Sequence, residues 1–326
     1  MRDFIRDRWE VDLRRMQSPR GNVDISSLVA SWCEDREWIA KVRSLSPGER
    51  RRRLAELGAK TFECDLGRFA TQLRWNTRTL NDLWSAKERD RVLKKHIELL
   101  FASASDTIDF LVPDEIQWTK QQIAVSGFEY LEESFAAGKG VILLGAYQCH
   151  PGFLLYHPLL ADRRIAAVQH SENGAGETAK ALTPDRRLLL LPDTRASVRT
   201  LLELLDEGQC IMLYNDFVYP SVTPIKSPLF GRMVLISRAL LSIALKVGAS
   251  VVPFAIARQW PLDRDEVRLD FFPRLPLTGL DYTCEAHLQT AALVFGLATE
   301  CLIRRYPAQW RLWNSLEVRW QQAEPI

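Results

Sequence analysis

Up to residue 126, apolar residues recur at helical spacing. Ile25, Leu28, Val29, Trp32 and Cys33 share one face, and Trp38, Ile39 and Val42 continue it. Spacings of three and four place side chains on one side of a helix, whereas a strand would alternate. Ser46-Pro47-Gly48-Glu49 predicts a helix start. The serine oxygen accepts from a free backbone N–H, proline suits the first turn, and Glu49 can reach back to complete a capping box. A second amphipathic run, Arg89 to Leu111, carries Val92, Leu93, Ile97, Leu99, Leu100 and Phe101 on its apolar side. The stretch from Val112 to Gly127, with Pro113 in it, reads as a junction.

Beyond Gly127 the pattern changes. Phe128 to Ala137 predicts a helix that stops at Gly138-Lys139-Gly140, and Val141 to Ala146 is apolar without alternation, as central parallel strands are. Further strands are predicted at Ile165–Val168, Cys210–Tyr214, Ser250–Ile256 and Val267–Phe272. Helices are predicted at Ser197–Asp206, Met233–Val247 and Glu285–Arg305. Helices alternating with short apolar strands define an α/β fold. The expectation is a helical N-terminal region over residues 1–126, then residues 127–326 as a mostly parallel central sheet flanked by helices. Working groups in such sheets gather at the carboxyl ends of the strands.

Composition adds limits. Apolar residues at 47% and charged residues at 26% belong to a folded globular chain and exclude disorder. A net charge of +2 gives no concentrated basic field, so nucleic acid is not an expected partner. The local runs Arg51-Arg52-Arg53 and Arg304-Arg305 are expected to be solvated helix faces. Cys33, Cys64, Cys149, Cys210, Cys284 and Cys301 show no CxxC pair and no zinc spacing, so reduced thiols and no metal are expected. The charged start, Met1 to Arg8, predicts no signal peptide, and no segment is expected to match the roughly 20 apolar residues of a membrane span. A cytoplasmic protein is the expectation, with peripheral contact at the inner membrane face open to its amphipathic N-terminal segments.

Three strand ends carry candidate chemistry. The first is Gly145-Ala146-Tyr147-Gln148-Cys149-His150-Pro151-Gly152-Phe153. A histidine leaving a core strand where a helix begins could deprotonate a hydroxyl or amine attacking an acyl carbonyl; the competing reading is a partly buried structural histidine. The second is Tyr214-Asn215-Asp216, where the acid could orient a histidine or bind a substrate hydroxyl, or simply form an Asx turn. In the third, Pro228-Leu229-Phe230-Gly231-Arg232, the arginine could hold a phosphate or carboxylate, or form a surface ion pair.

Together with Gly127-Phe128-Glu129, Gly138-Lys139-Gly140-Val141-Ile142-Leu143-Leu144, Val247-Gly248-Ala249-Ser250-Val251-Val252-Pro253 and Tyr306-Pro307-Ala308-Gln309-Trp310, these segments resemble the lipid A biosynthesis lauroyl/myristoyl acyltransferases. Those enzymes form part of the lysophospholipid acyltransferase superfamily, and the likeness runs from Gly127 to the C-terminus. The resemblance implies a glycerolipid acyltransferase-like fold. It also implies transfer of an acyl group from an acyl-carrier-protein or coenzyme A thioester to a hydroxyl or amine acceptor, with no cofactor. The family pattern is His-x-Gly-Asn-Trp-Glu. His150 and Gly152 match it, but Leu155 stands where the acid belongs. His157 and Asp162 keep the spacing only by coincidence. No counterpart of the family's N-terminal membrane helix is expected, and Gln169-His170-Ser171-Glu172-Asn173-Gly174 stands where the arginine-rich acceptor motif would be.

An acid partner fixes a histidine's tautomer and stabilises its imidazolium; losing it from a serine-protease triad costs about 10⁴ in rate. Asp216 and Glu172 are the candidate replacements, and Tyr147, Gly152, Asn215 and Arg232 the candidate substrate-binding residues. Three readings follow. One is an acyltransferase with His150 as general base and a small-molecule or carrier-bound acceptor other than lipid A, in a specialised biosynthetic pathway. The second is a binding or scaffolding protein that retains the fold without the chemistry. The third is a hydrolase with Cys149 as nucleophile.

Overall fold

Ser46 caps a helix as its sequence predicts, its Oγ accepting from the Glu49 N–H at 3.3 Å with Pro47 in the first turn. Glu49 does not reach back; its carboxylate takes Arg52 and Arg53 instead. The computed structural model describes residues 4–16, 31–32, 35–111, 122–149, 152–155, 160, 163–169, 188–192, 195–216, 224–264 and 266–324. By internal contacts the chain forms two compact units. The first comprises 1–122, 258–267 and 307–316; the second comprises 123–257, 268–306 and 317–326.

The first unit is helical: α1 (Phe4–Met16), α2 (Arg36–Arg43), α3 (Pro47–Glu63), α4 (Phe69–Asn76) and α5 (Ala86–Leu111). Its core joins Leu54, Leu57 and Phe62 of α3 to Leu93, Ile97 and Phe101 of α5. Trp9 and Trp32 meet Phe101 edge-on at 5.2 and 5.7 Å. Of the run expected to be solvated, Arg52 is exposed and Arg53 partly so, but Arg51 is not. Arg50 and Arg51 are fully buried, both bonded to Asp109, with Arg51 also reaching the Leu262 carbonyl at 3.2 Å. Arg258 bonds Asp106, and Gln309 Nε2 donates to the Arg258 carbonyl at 2.8 Å. Two carboxylates one turn apart on α5 thus offset cations in a place that would otherwise exclude them. His96 is buried in this unit too, its Nδ1 3.2 Å from the Ala308 carbonyl.

The second unit is the sheet: β1 (Ile123–Ser126), β2 (Val141–Gly145), β3 (Ile165–Gln169), β4 (Leu188–Pro192), β5 (Cys210–Tyr214), β8 (Ser250–Arg258) and β9 (Val267–Phe271), in the order β1-β9-β8-β2-β5-β3-β4. β2 pairs in parallel with β5 and β8, and β3 with β4 and β5. The bonds Gln259 N–H to Glu266 O and Phe272 N–H to Pro253 O have a constant residue sum, so β8 and β9 run antiparallel. Flanking helices are α6 (Phe128–Ala136), the single turn α7 (Gly152–Leu155), α8 (Arg195–Asp206), α9 (Arg238–Val247), α10 (Glu285–Arg305) and α11 (Leu316–Ala323). Every described residue of β2 is buried, as an unbroken apolar central strand requires.

Three strands and one boundary depart from expectation. β1 lies in the presumed junction, and β4 and β6 (Pro224–Leu229) were not foreseen. Residues expected to begin the Met233 helix instead form β7 (Arg232–Ser237), antiparallel to β6. Phe230 and Gly231 both have positive φ, 53° and 77°, which makes the two-residue turn that matches strand twist. The helix starts only after Ser237, whose Oγ accepts from the Leu240 N–H. α10 meets the length and composition of a membrane span. Its face carrying Leu288, Ala291, Phe295, Thr299 and Leu302 is nevertheless buried against β6, α9 and β2.

Candidate active site at the carboxyl edge of the sheet

β2 and β5 end level with each other, Gly145 opposite Tyr214. A side chain at Gly145 would put a Cβ 2.8 Å from the Phe254 ring and 3.0 Å from that of Tyr214. The glycine therefore lets three aromatic rings close over the strand ends: Tyr214 stands edge-on to Tyr147 at 5.6 Å and is tilted toward Phe254 at 6.4 Å. The loop after β2 then meets the acid after β5. The Tyr147 N–H donates to Asp216 Oδ2 at 2.7 Å, and Asp216 is 2% exposed. His150 follows Cys149 directly in sequence but, like Glu172, lies outside the described residues, as do His157 and Asp162. Gly152 opens α7, with Leu155 at its end.

One helix fastens these loops. Asn215 Nδ2 donates to Thr299 Oγ1 at 3.2 Å, Gln148 Nε2 to the Leu302 carbonyl at 2.9 Å, and Arg305 and Tyr306 bond Asp270 on β9 at 2.8 and 2.6 Å. Three residues along a helix rise about 4.5 Å, close to the roughly 4.8 Å between neighbouring strands. α10 therefore meets β5 and its neighbour β2 at that spacing, and the longer side chains of Arg305 and Tyr306 at its end reach past β8 to β9. Asp270 also accepts from Ser126 Oγ at 2.5 Å and Arg268 Nε at 2.7 Å. Burial pushes its pKa up, but bonds from Ser126, Tyr306, Arg268 and Arg305 outweigh that and hold it at about 2.

Arg232 is engaged by Glu324 and, at 3.7 Å, by Glu317, and it lies over the Trp320 ring at 4.6 Å. Cys149 is a buried thiol outside any disulfide and Cys210 is buried as well, its pKa pushed up by desolvation, which keeps it protonated and inert. Among the described residues no three His, Cys, Asp or Glu side chains group as metal ligands would. A groove of about 520 Å³ in the helical unit, lined by Phe62, Arg74, Asp90 and Lys94, is walled mainly by ion pairs. The structure thus brings Tyr147, Asn215 and Asp216 together at one edge. Sequence reasoning missed the roles of Gln148 and Thr299. Gln148 stands within the histidine segment, which was the available signal; Thr299 has none in its neighbours.

A mostly parallel sheet, covered by helices, with an acid and a histidine-bearing loop leaving adjacent central strands, has the layout of an α/β acyltransferase. The family comparison makes the class specific. Residues 39–321 match the family model of bacterial lipid A biosynthesis acyltransferases, nearly the whole chain, and the protein belongs to that family. No curated protein matches the chain.

Proposed function

We propose that this acyltransferase moves an acyl group from an acyl-carrier-protein or coenzyme A thioester to a hydroxyl or amine of a small-molecule or carrier-bound acceptor, with His150 as general base. The observation that carries the reading is the Tyr147 N–H bond to Asp216. It draws a buried carboxylate from β5 to the loop that reaches His150 three residues later. His150 takes the acceptor's proton as its oxygen or nitrogen attacks the thioester carbonyl. The tetrahedral adduct collapses with release of the thiolate, which recovers the proton from the imidazolium. Backbone N–H groups at the strand ends face the developing oxyanion. Asp216 is the acid that replaces the family's glutamate, with Glu172 as the competing choice. Tyr147, Gly152 and Asn215 border the acceptor, and Arg232 takes an anionic group at the rim in competition with Glu317 and Glu324. The work is done in the cytoplasm, at the inner membrane face where the acyl chain requires it.

Leu155 favours a second reading, a scaffold that keeps the fold and binds thioesters without consuming them. Mass spectrometry of the chain incubated with acyl thioesters and cell metabolites separates the two. An acylated product supports transfer; unchanged thioester with measurable binding supports the scaffold. Asp216→Asn should lower the transfer rate by about 10²–10⁴ with folding retained, a tautomer and charge effect. An unchanged rate removes Asp216 as the acid.

A further inference from the structure

A second charged group near this edge has no assigned task. α11 packs through Leu316, Trp320 and Ala323, with Trp320 Nε1 donating to the Leu229 carbonyl at 3.1 Å. Arg319 on the same helix is only 7% exposed. Its Nε and Nη2 groups are buried with no hydrogen-bond acceptor among the described residues. The Asp216 carboxylate is near enough for its charge to raise the Arg319 pKa against a larger lowering by burial. Asp216 Oδ2, however, is turned to the Tyr147 N–H. Arg232, the neighbouring cation, is already neutralised by Glu317 and Glu324.

An ionised guanidinium removed from water with two donors unused is costly unless something fills them. Nε–H and Nη2–H lie along one edge of the planar guanidinium. That edge is the fork that matches two oxygens of a carboxylate or phosphate; a lone carbonyl would use only one donor. We propose that Arg319 is an oxoanion-binding residue whose Nε–Nη2 edge receives a phosphate or carboxylate of a ligand bound beside Asp216. The site rests on the two unused donors and stands whether or not the chain transfers acyl groups.

The test is a titration of the full chain with inorganic phosphate and, separately, acetate, against sodium chloride at constant ionic strength, read by calorimetry. Saturable binding of either anion is expected, and the tighter one identifies the ligand as a phosphate or a carboxylate. Arg319→Lys keeps the charge but breaks the fork and should weaken binding at least tenfold; Arg319→Gln should abolish it. Binding no stronger than that of chloride, or equally tight binding by Arg319→Lys, overturns the proposal. Where the variants fail to fold, the wild-type chain crystallised from phosphate decides. Density on the Nε–Nη2 edge supports the site; a guanidinium bonded directly to Asp216 or main chain overturns it. His150→Ala should leave this binding intact, so the two readings fail separately.

Discussion

Replacing Asp270 by asparagine removes one charge from a carboxylate that four side chains hold, while keeping its shape. The Asp270 side chain is 1% exposed, but Arg268 and Arg305 are 43% and 44% exposed, so solvent screens the two ion pairs in part and sets an upper limit on what they contribute. Its pKa falls from 3.8 to about 2 in the folded chain, which at 1.36 kcal/mol per unit corresponds to at most about 2 kcal/mol of stability. Because the folded value is the lower one, this contribution is complete above the unfolded value of 3.8 and is lost as pH falls through about 2. Urea unfolding of both chains should therefore give a difference of up to about 2 kcal/mol at pH 7, still nearly whole at pH 5 and roughly halved near pH 3. The loss releases the end of α10 that Arg305 and Tyr306 tie to β9, so transfer activity should fall along with stability. A difference below about 0.5 kcal/mol at pH 7, the range of ordinary surface changes, would refute the reasoning. So would a difference that stays constant down to pH 3.

Two further outcomes follow from the helical unit. His96 is 3% exposed and burial lowers its pKa to about 4, partly offset by the Ala308 carbonyl. The folded value being the lower, the wild type should lose about 3 kcal/mol as pH falls from 7 to 4, and His96→Gln should flatten that slope in pH-resolved urea unfolding. Asp109→Ala strands Arg50 and Arg51 in the interior and should destabilise by about 3–5 kcal/mol in the same assay; a loss under 1 kcal/mol would contradict the burial of that cluster.

Where local pattern determines structure, the sequence was readable. The apolar run from Cys210 to Tyr214, closed by Gly208 before it and Asn215 after it, is a strand with those bounds, and Glu285–Arg305 is a helix end to end. Pattern failed where strand and helix look alike. Val234-Leu235-Ile236 fits either, and pairing with β6 across a turn of two positive-φ residues decides for strand. The charge run Arg51-Arg52-Arg53 could not reveal that its first member, with Arg50 before it, faces Asp109, because that partner lies 58 positions away from Arg51. Packing of residues 258–267 and 307–316 with the N-terminal helices likewise has no local signature. At the candidate site, the placement of Asn215, Asp216 and Tyr147 just beyond β5 and β2 was legible, because apolar strand runs mark their own ends. Arg319 was not, since an arginine on a short polar helix reads as solvated until its burial is seen.

The most direct measurement is acyl transfer by the wild-type chain and by His150→Ala, with matched unfolding curves, using acyl-carrier-protein and coenzyme A thioesters. The account predicts turnover that drops by about 10²–10⁴ in the variant at unchanged stability. Equal turnover by the two chains would contradict it.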